Sequence, residues 1–176
     1  MSRAHKYLLV YASILVLFTV IAVFLLLNIN YFNNLYSFKQ TNLNISSLCS
    51  QNKSTMIFYY SNGCSSCSLE YAAFRNVTSR FEGEWISEDF YSPYFCAYDF
   101  NITLYNQNQS AVFAPVGAAG VFTTLADGKV PFVFFGGIYS QYYKIGGFST
   151  NTSAEEQLLK YMCLSINNIA PVCSTT

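Results

Sequence analysis

Charge is what this chain most lacks. Lys, Arg, Asp and Glu make up 10% of its 176 residues, nine basic against nine acidic. No run or patch of basic residues is visible, which argues against nucleic acid as a partner, since phosphate binding needs clustered Lys and Arg. Histidine is almost missing as well: His5 is the single one, close to the N-terminus. Structural zinc sites usually use four ligands, so a metal is not expected, and no other cofactor is called for. Tyr, Asn, Ser and Thr supply the surface polarity instead of charge. Strong acid takes little from such a surface, because few carboxylates are there to be protonated, a hint of an acidic exterior.

What is present begins with a long apolar run. Tyr7 to Leu27 carries no charged side chain, and its length suits a membrane helix. Arg3 and Lys6 precede it, and the next charge is Lys39, a bias that places the N-terminus in the cytoplasm and the rest outside. The expected organisation is a cytoplasmic tail over 1–6, a transmembrane anchor over 7–29, a juxtamembrane segment over 30–47 and an extracytoplasmic domain over 48–176. A cleaved signal peptide is the rival reading, but Val23-Phe24-Leu25-Leu26-Leu27 offers no small residues for cleavage. N-glycosylation triplets at Asn44, Asn52, Asn76, Asn101, Asn108 and Asn151 all fall on the expected outer side.

The chemistry-bearing motif is Cys64-Ser65-Ser66-Cys67. The apolar run Met56-Ile57-Phe58-Tyr59-Tyr60 precedes it, and a helix-like stretch from Leu69 to Phe81 follows. A continuous apolar run of that length predicts a strand covered on both faces. Cys67, Tyr71, Phe74, Val77 or Thr78, and Phe81 share one helical stripe, leaving Glu70, Arg75 and Ser79 on the other side. A thiol at a helix N-terminus is acidified by unpaired N–H groups and the helix dipole.

Glu82 to Asp127 is harder to read, with candidate strands at Trp85-Ile86 and Tyr94 to Tyr98 and a short helix within Ala111 to Leu125. This stretch is expected to be an insertion shaping the surface near the cysteines. Beyond it, Pro131 opens a strand over Phe132 to Phe135, and Tyr139 to Ile145 returns antiparallel. A final helix starts at Thr152 or Ser153, with Glu155 and Glu156 as capping partners. Its buried side is expected to be Leu158, Leu159, Met162, Cys163 and Ile166.

The order strand, Cys-x-x-Cys helix, crossover, Pro-initiated strand, second strand, paired glycines and final helix resembles the thioredoxin superfamily over about Thr55 to Ile166. With the anchor and the sparse charge, the chain also resembles membrane-anchored, extracytoplasmic thioredoxin-like proteins of thermoacidophilic archaea. The fold class implied is α/β: a mixed sheet flanked by helices, with an inserted middle region, preceded by one transmembrane helix. The resemblance makes Cys64 the attacking and Cys67 the resolving cysteine, with Val130 and cis Pro131 as the wall that binds substrate. It also exposes a departure: the position six residues before the first cysteine, where a proton-relaying carboxylate often stands, is Phe58, and no nearby Asp or Glu is seen to replace it.

The other four cysteines suit an oxidising compartment. Three pairings among them are open; Cys163 with Cys173 and Cys49 with Cys96 is the one favoured. The function implied is a membrane-anchored thiol–disulfide oxidoreductase for exported or surface proteins. Its partners would be protein thiols or disulfides and a membrane or extracellular redox partner. The alternative is a non-catalytic accessory subunit of a multi-subunit membrane complex, in which Cys64–Cys67 is an inert staple.

Overall fold

The computed structural model describes residues 14–26, 37–43, 49, 53–108, 117–148 and 151–175. The chain divides into two compact units, Met1–Ser37 and Phe38–Thr176. In the first, residues 14–26 form helix α1, exposed along its whole length. No helix among the described residues is long and apolar enough to cross a membrane. The expected anchor over 7–29 is corrected accordingly, and the single-pass topology with an extracytoplasmic main domain goes with it. The tail over 1–6, residues 7–13 and 27–29 of the expected anchor, and residues 30–36 and 44–47 of the juxtamembrane segment lie outside the described residues.

In the second unit the longest apolar runs became the middle of a sheet. β2 (Ser54–Tyr60) and β5 (Phe95–Asn101) are buried along almost their full length and pair in parallel. Strands covered on both faces are apolar at consecutive positions, as Met56 to Tyr60 and Phe95 to Tyr98 are. β6 (Phe132–Gly136) lies antiparallel on the other side of β2, followed by β7 (Gln141–Ile145) and the edge strand β1 (Lys39–Thr41). Beyond β5 come β4 (Asp89–Tyr91) and β3 (Glu84–Ile86), so the seven strands run β1-β7-β6-β2-β5-β4-β3.

Strand alternation sorts the core into two layers. Met56, Phe58, Ala97, Val133 and Phe135 pack under α2 (Cys67–Thr78) and α5 (Asn151–Ser165). Ile57, Tyr59, Tyr98, Phe132 and Phe134 pack under α4 (Ala118–Leu125), with α3 (Ile102–Gln107) following β5. The mixed sheet flanked by helices is as expected; among the described residues no transmembrane helix precedes it.

The middle region also departs from expectation. Glu82 to Asp127 contains the central strand β5 and the β3–β4 hairpin, so much of it is sheet rather than insertion. β4 escapes a periodicity reading because it is only Asp89-Phe90-Tyr91, with Phe90 alone buried. Register then brings three loops together. β2 ends at Tyr60, β6 begins opposite Tyr59, and β7 ends at Ile145 opposite Phe132. The cysteine turn, Pro131 and Gly146-Gly147 therefore share one end of the sheet.

Candidate functional site

Leaving β2, the chain makes a tight turn in which the Cys64 amide donates to the Ser61 carbonyl (3.3 Å) and Gly63 takes φ +78°. That φ is cheap only without a Cβ. The Cys67 amide then donates to the Cys64 carbonyl (3.2 Å), and α2 starts at Cys67. Ser66 is the N-cap but gives no side-chain cap bond; its hydroxyl lies 3.6 Å from the Cys64 sulfur. The first-turn N–H groups of α2 are thus left without that capping bond, beside the sulfurs.

Cys64 and Cys67 form a disulfide, and so do Cys49 with Cys96 and Cys163 with Cys173. No cysteine is free. Exposure separates them: Cys49, Cys67, Cys96, Cys163 and Cys173 are all below 8% exposed, whereas Cys64 is partly open to solvent. Of the six cysteines only Cys64 is partly exposed.

The neighbouring wall is built by the loop before β6. The Val130–Pro131 bond is cis, Val130 is half-buried and Pro131 is buried. The Pro131 carbonyl accepts from the Gly146 amide (2.9 Å), which ties this loop to the end of β7. Phe58 occupies the level beneath α2 as an aromatic, its ring 5.7 Å from Phe74 and 6.1 Å from Tyr60.

Two buried carboxylates flank α2, and sequence reasoning missed both. Glu70, expected on the outer side of the helix, is 1% exposed and faces Lys144 of β7, also 1% exposed, at 3.8 Å. The Lys144 ammonium donates to the carbonyls of Gly146 and Gly147. Burial pushes the Glu70 carboxyl up to about 7, and the Lys144 charge and the Phe148 backbone pull against that rise. Burial likewise lowers Lys144 from its ordinary value, opposed by Glu70. A usable signal was present: Lys144 is a lone cation in the otherwise uncharged strand Gln141–Ile145, and spacing 67–70–74–77 is as helical as the stripe through Tyr71.

On the other flank Asp99 of β5, opposite Phe58 in register, accepts from Arg75 Nε (2.9 Å) and Nη2 (2.6 Å). The Arg75 guanidinium also donates to the Ser87 carbonyl and lies 3.8 Å from the centroid of the Trp85 ring. Burial pushes Asp99 up to about 6 despite the Arg75 charge. Among the described residues, no group of three or more His, Cys, Asp or Glu is placed to hold a metal ion.

The glycosylation triplets scatter. Asn76 is exposed on α2, but its amide donates to Glu155 (2.6 Å). Asn101 is 5% exposed, donating to Asn62 while capping α3 through Leu104. Asn108 is exposed, and Asn151 opens α5. Asn44 and Asn52 lie outside the described residues.

Neither a scan against protein-family models nor a search of curated proteins finds a match for this chain. The resemblance to thioredoxin-like proteins, and to membrane-anchored archaeal ones in particular, is corrected to a narrower statement: a mixed α/β fold on a seven-stranded sheet. Both functions read from sequence leaned on a membrane. With no membrane-crossing helix among the described residues, the anchored oxidoreductase of exported or surface proteins is withdrawn. The accessory subunit of a membrane complex is withdrawn with it.

Proposed function

We propose that the protein is a thiol–disulfide oxidoreductase whose exchangeable pair is Cys64–Cys67. The observation that carries this reading is the contrast in exposure: Cys64 alone among the six cysteines is partly exposed, and its bonded partner is buried. An external thiolate attacks the Cys64 sulfur, the Cys64–Cys67 bond breaks, and Cys67 leaves as a thiolate at the start of α2. The positive end of that helix stabilises it. A second thiol then releases Cys64, and the product is a disulfide of the two attacking thiols. Run backwards, the reduced pair opens a substrate disulfide. Protein thiols or disulfides are the substrate class, and a second redox compound must restore the pair after each turnover.

Thiol-trapping mass spectrometry of the full-length chain in glutathione buffers tests this reading. Cys64 and Cys67 are expected to open reversibly together, at a potential within the oxidoreductase range of about −270 to −120 mV. Cys49–Cys96 and Cys163–Cys173 stay closed, and Cys64→Ser abolishes exchange. A Cys64–Cys67 bond that persists until the whole domain unfolds makes the pair a staple, and the reading falls.

A further inference from the structure

The turn that carries Cys64 buries little of itself: Asn62, Gly63, Ser65 and Ser66 are exposed, and Ser61 and Cys64 are half-buried. Most of its hydrogen bonds are local. The Cys64 amide reaches back to Ser61, the Cys67 amide to Cys64, and the Ser68 hydroxyl to the Ser65 carbonyl (3.0 Å). Among the described residues, the hydrogen bonds that tie 61–66 to another element are both made at Asn62. Its backbone amide donates to Thr103 Oγ1 (2.9 Å), and its side-chain oxygen accepts from the Asn101 side-chain amide (3.0 Å).

Register puts these residues within reach. β2 and β5 run parallel with Tyr60 opposite Asn101, so the chain leaves both strands at the same end of the sheet. One strand runs on into the cysteine turn and the other into α3. That helix is itself anchored: Ile102 and Tyr105 pack against the core, with the Tyr105 ring 5.2 Å from Phe100. Asn101 caps it by accepting from the Leu104 amide (3.1 Å). Asn101 therefore spends one end of its side chain on α3 and the other on Asn62. Asn101-Ile102-Thr103 is a glycan acceptor triplet by sequence, yet both of its polar members are engaged with one residue of the cysteine turn.

Resting on the oxidoreductase reading, we propose that Asn101 and Thr103 are positioning residues, which act through Asn62 to keep Cys64 beside Cys67 after their disulfide has opened. While the bond is closed, it holds the two Cα atoms 5.3 Å apart. Once it opens, Cys67 stays on the buried face of α2, whereas Cys64 depends on its turn. Closure is the step that feels this. Oxidised glutathione first forms a mixed disulfide with Cys64 and releases one glutathione thiolate. Cys67, its proton given up to water, then attacks the Cys64 sulfur. The Cys64–Cys67 bond forms and the second glutathione leaves as a thiolate, so the dithiol is oxidised and the glutathione disulfide reduced. The second attack is intramolecular, and it follows the effective concentration of one sulfur at the other. A loosened turn spreads Cys64 over more conformations when open, while the closed ring confines it in either case. Losing the clamp therefore disfavours closure without altering either sulfur.

The test equilibrates the full-length protein in glutathione buffers and traps the adduct on Cys64 during oxidation. Thr103→Val keeps the side-chain shape and removes the acceptor. It is expected to lower the closure constant about tenfold, the scale of one hydrogen bond. The potential of the pair then rises by about 30 mV and the adduct persists about tenfold longer. Thr103→Ser keeps the hydroxyl and restores the wild-type values. Asn101→Ser retains a capping oxygen for α3 but is too short to span to Asn62, so it shifts the potential in the same direction as Thr103→Val. Leu104→Ala, at an exposed position of α3, leaves the potential unchanged. A folded Thr103→Val protein with the wild-type potential and adduct lifetime overturns the assignment. So does an equal shift from Leu104→Ala, which would reduce both residues to general support of α3. Wild-type protein that exchanges while Thr103→Val matches it defeats the clamp alone; wild-type protein that never exchanges defeats the oxidoreductase reading and the clamp together. Amide hydrogen exchange of the unsubstituted protein covers variants that do not fold. The Asn62 N–H must stay protected when Cys64–Cys67 is reduced, and protection lost on reduction overturns the proposal.

Discussion

At the scale of single residues, steric detail separates glycines that sequence alone treats alike. Gly137 sits between β6 and β7, where an added Cβ would stand 2.1 Å from the Ser165 carbonyl oxygen and 2.4 Å from that of Ser140. Both obstacles are backbone, so neither can swing aside. Gly120 is exposed within α4 and has nothing within 4 Å of its Cβ position. Gly137→Ala is expected to cost about 3 kcal/mol, the upper end of ordinary overpacking. Gly120→Ala is expected to stabilise by about 0.5–1 kcal/mol, the usual gain of Ala over Gly in a helix. Urea midpoints of the two variants should move in opposite directions, and movement in the same direction would contradict the packing described. The same scale shows where sequence reading stopped at the site. Cys64, Cys67 and Pro131 announce themselves by type and spacing. Glu70 does not, because a Glu beside Ser68 and Leu69 reads as solvent-facing until its partner across the chain is known. Phe58 stands where the sequence reading puts it, and the buried carboxylates of this region, Glu70 and Asp99, come from α2 and β5 rather than from β2.

Elements were legible in proportion to their length and burial. β2, β6 and α5 are long apolar patterns and stand close to where the sequence puts them. β4 is three residues with one buried side chain, too short for alternation to show. β5 was seen only as a candidate, although it forms the centre of the sheet with β2. Its Asp99 and Asn101 interrupt an apolar run for electrostatic and capping reasons that only neighbouring elements supply. The two buried disulfides hold these elements differently. Cys49–Cys96 closes a separation of 47 residues onto β5, whereas Cys163–Cys173 closes 10 residues from α5 to the last 3-10 turn. Loop-closure entropy in the unfolded chain grows with the logarithm of that separation. Replacing both cysteines by Ala should therefore cost about 4 kcal/mol for the first pair and about 3 kcal/mol for the second. Denaturant titrations of the two double variants check this, and a larger loss from the 163–173 pair would show that local packing rather than chain entropy sets the ranking.

For the whole molecule the sparse charge has a consequence in acid. Acid unfolding ordinarily follows from carboxylates whose folded pKa is depressed, because protonating them removes native pairing. Here the carboxyls with marked shifts go the other way. Glu70 rises from 4.5 to about 7 and Asp99 from 3.8 to about 6, both chiefly through burial, and Asp89 is raised as well. Between the unfolded and folded values the native state binds more protons than the unfolded one. Stability therefore falls as pH rises through about 4 to 7 and is regained on acidification. With only nine Asp and Glu in the chain, little other carboxylate chemistry is available to reverse that slope. The Phe38–Thr176 unit is expected to show a higher urea midpoint at pH 4.5 than at pH 7.5, and the double substitution Glu70→Gln with Asp99→Asn should flatten the difference. A midpoint that drops steadily from pH 7.5 to 4.5 would mean that Lys144 and Arg75 outweigh burial at these two carboxylates. The pairs would then be conventional salt bridges, with Glu70 and Asp99 both ionised at neutrality.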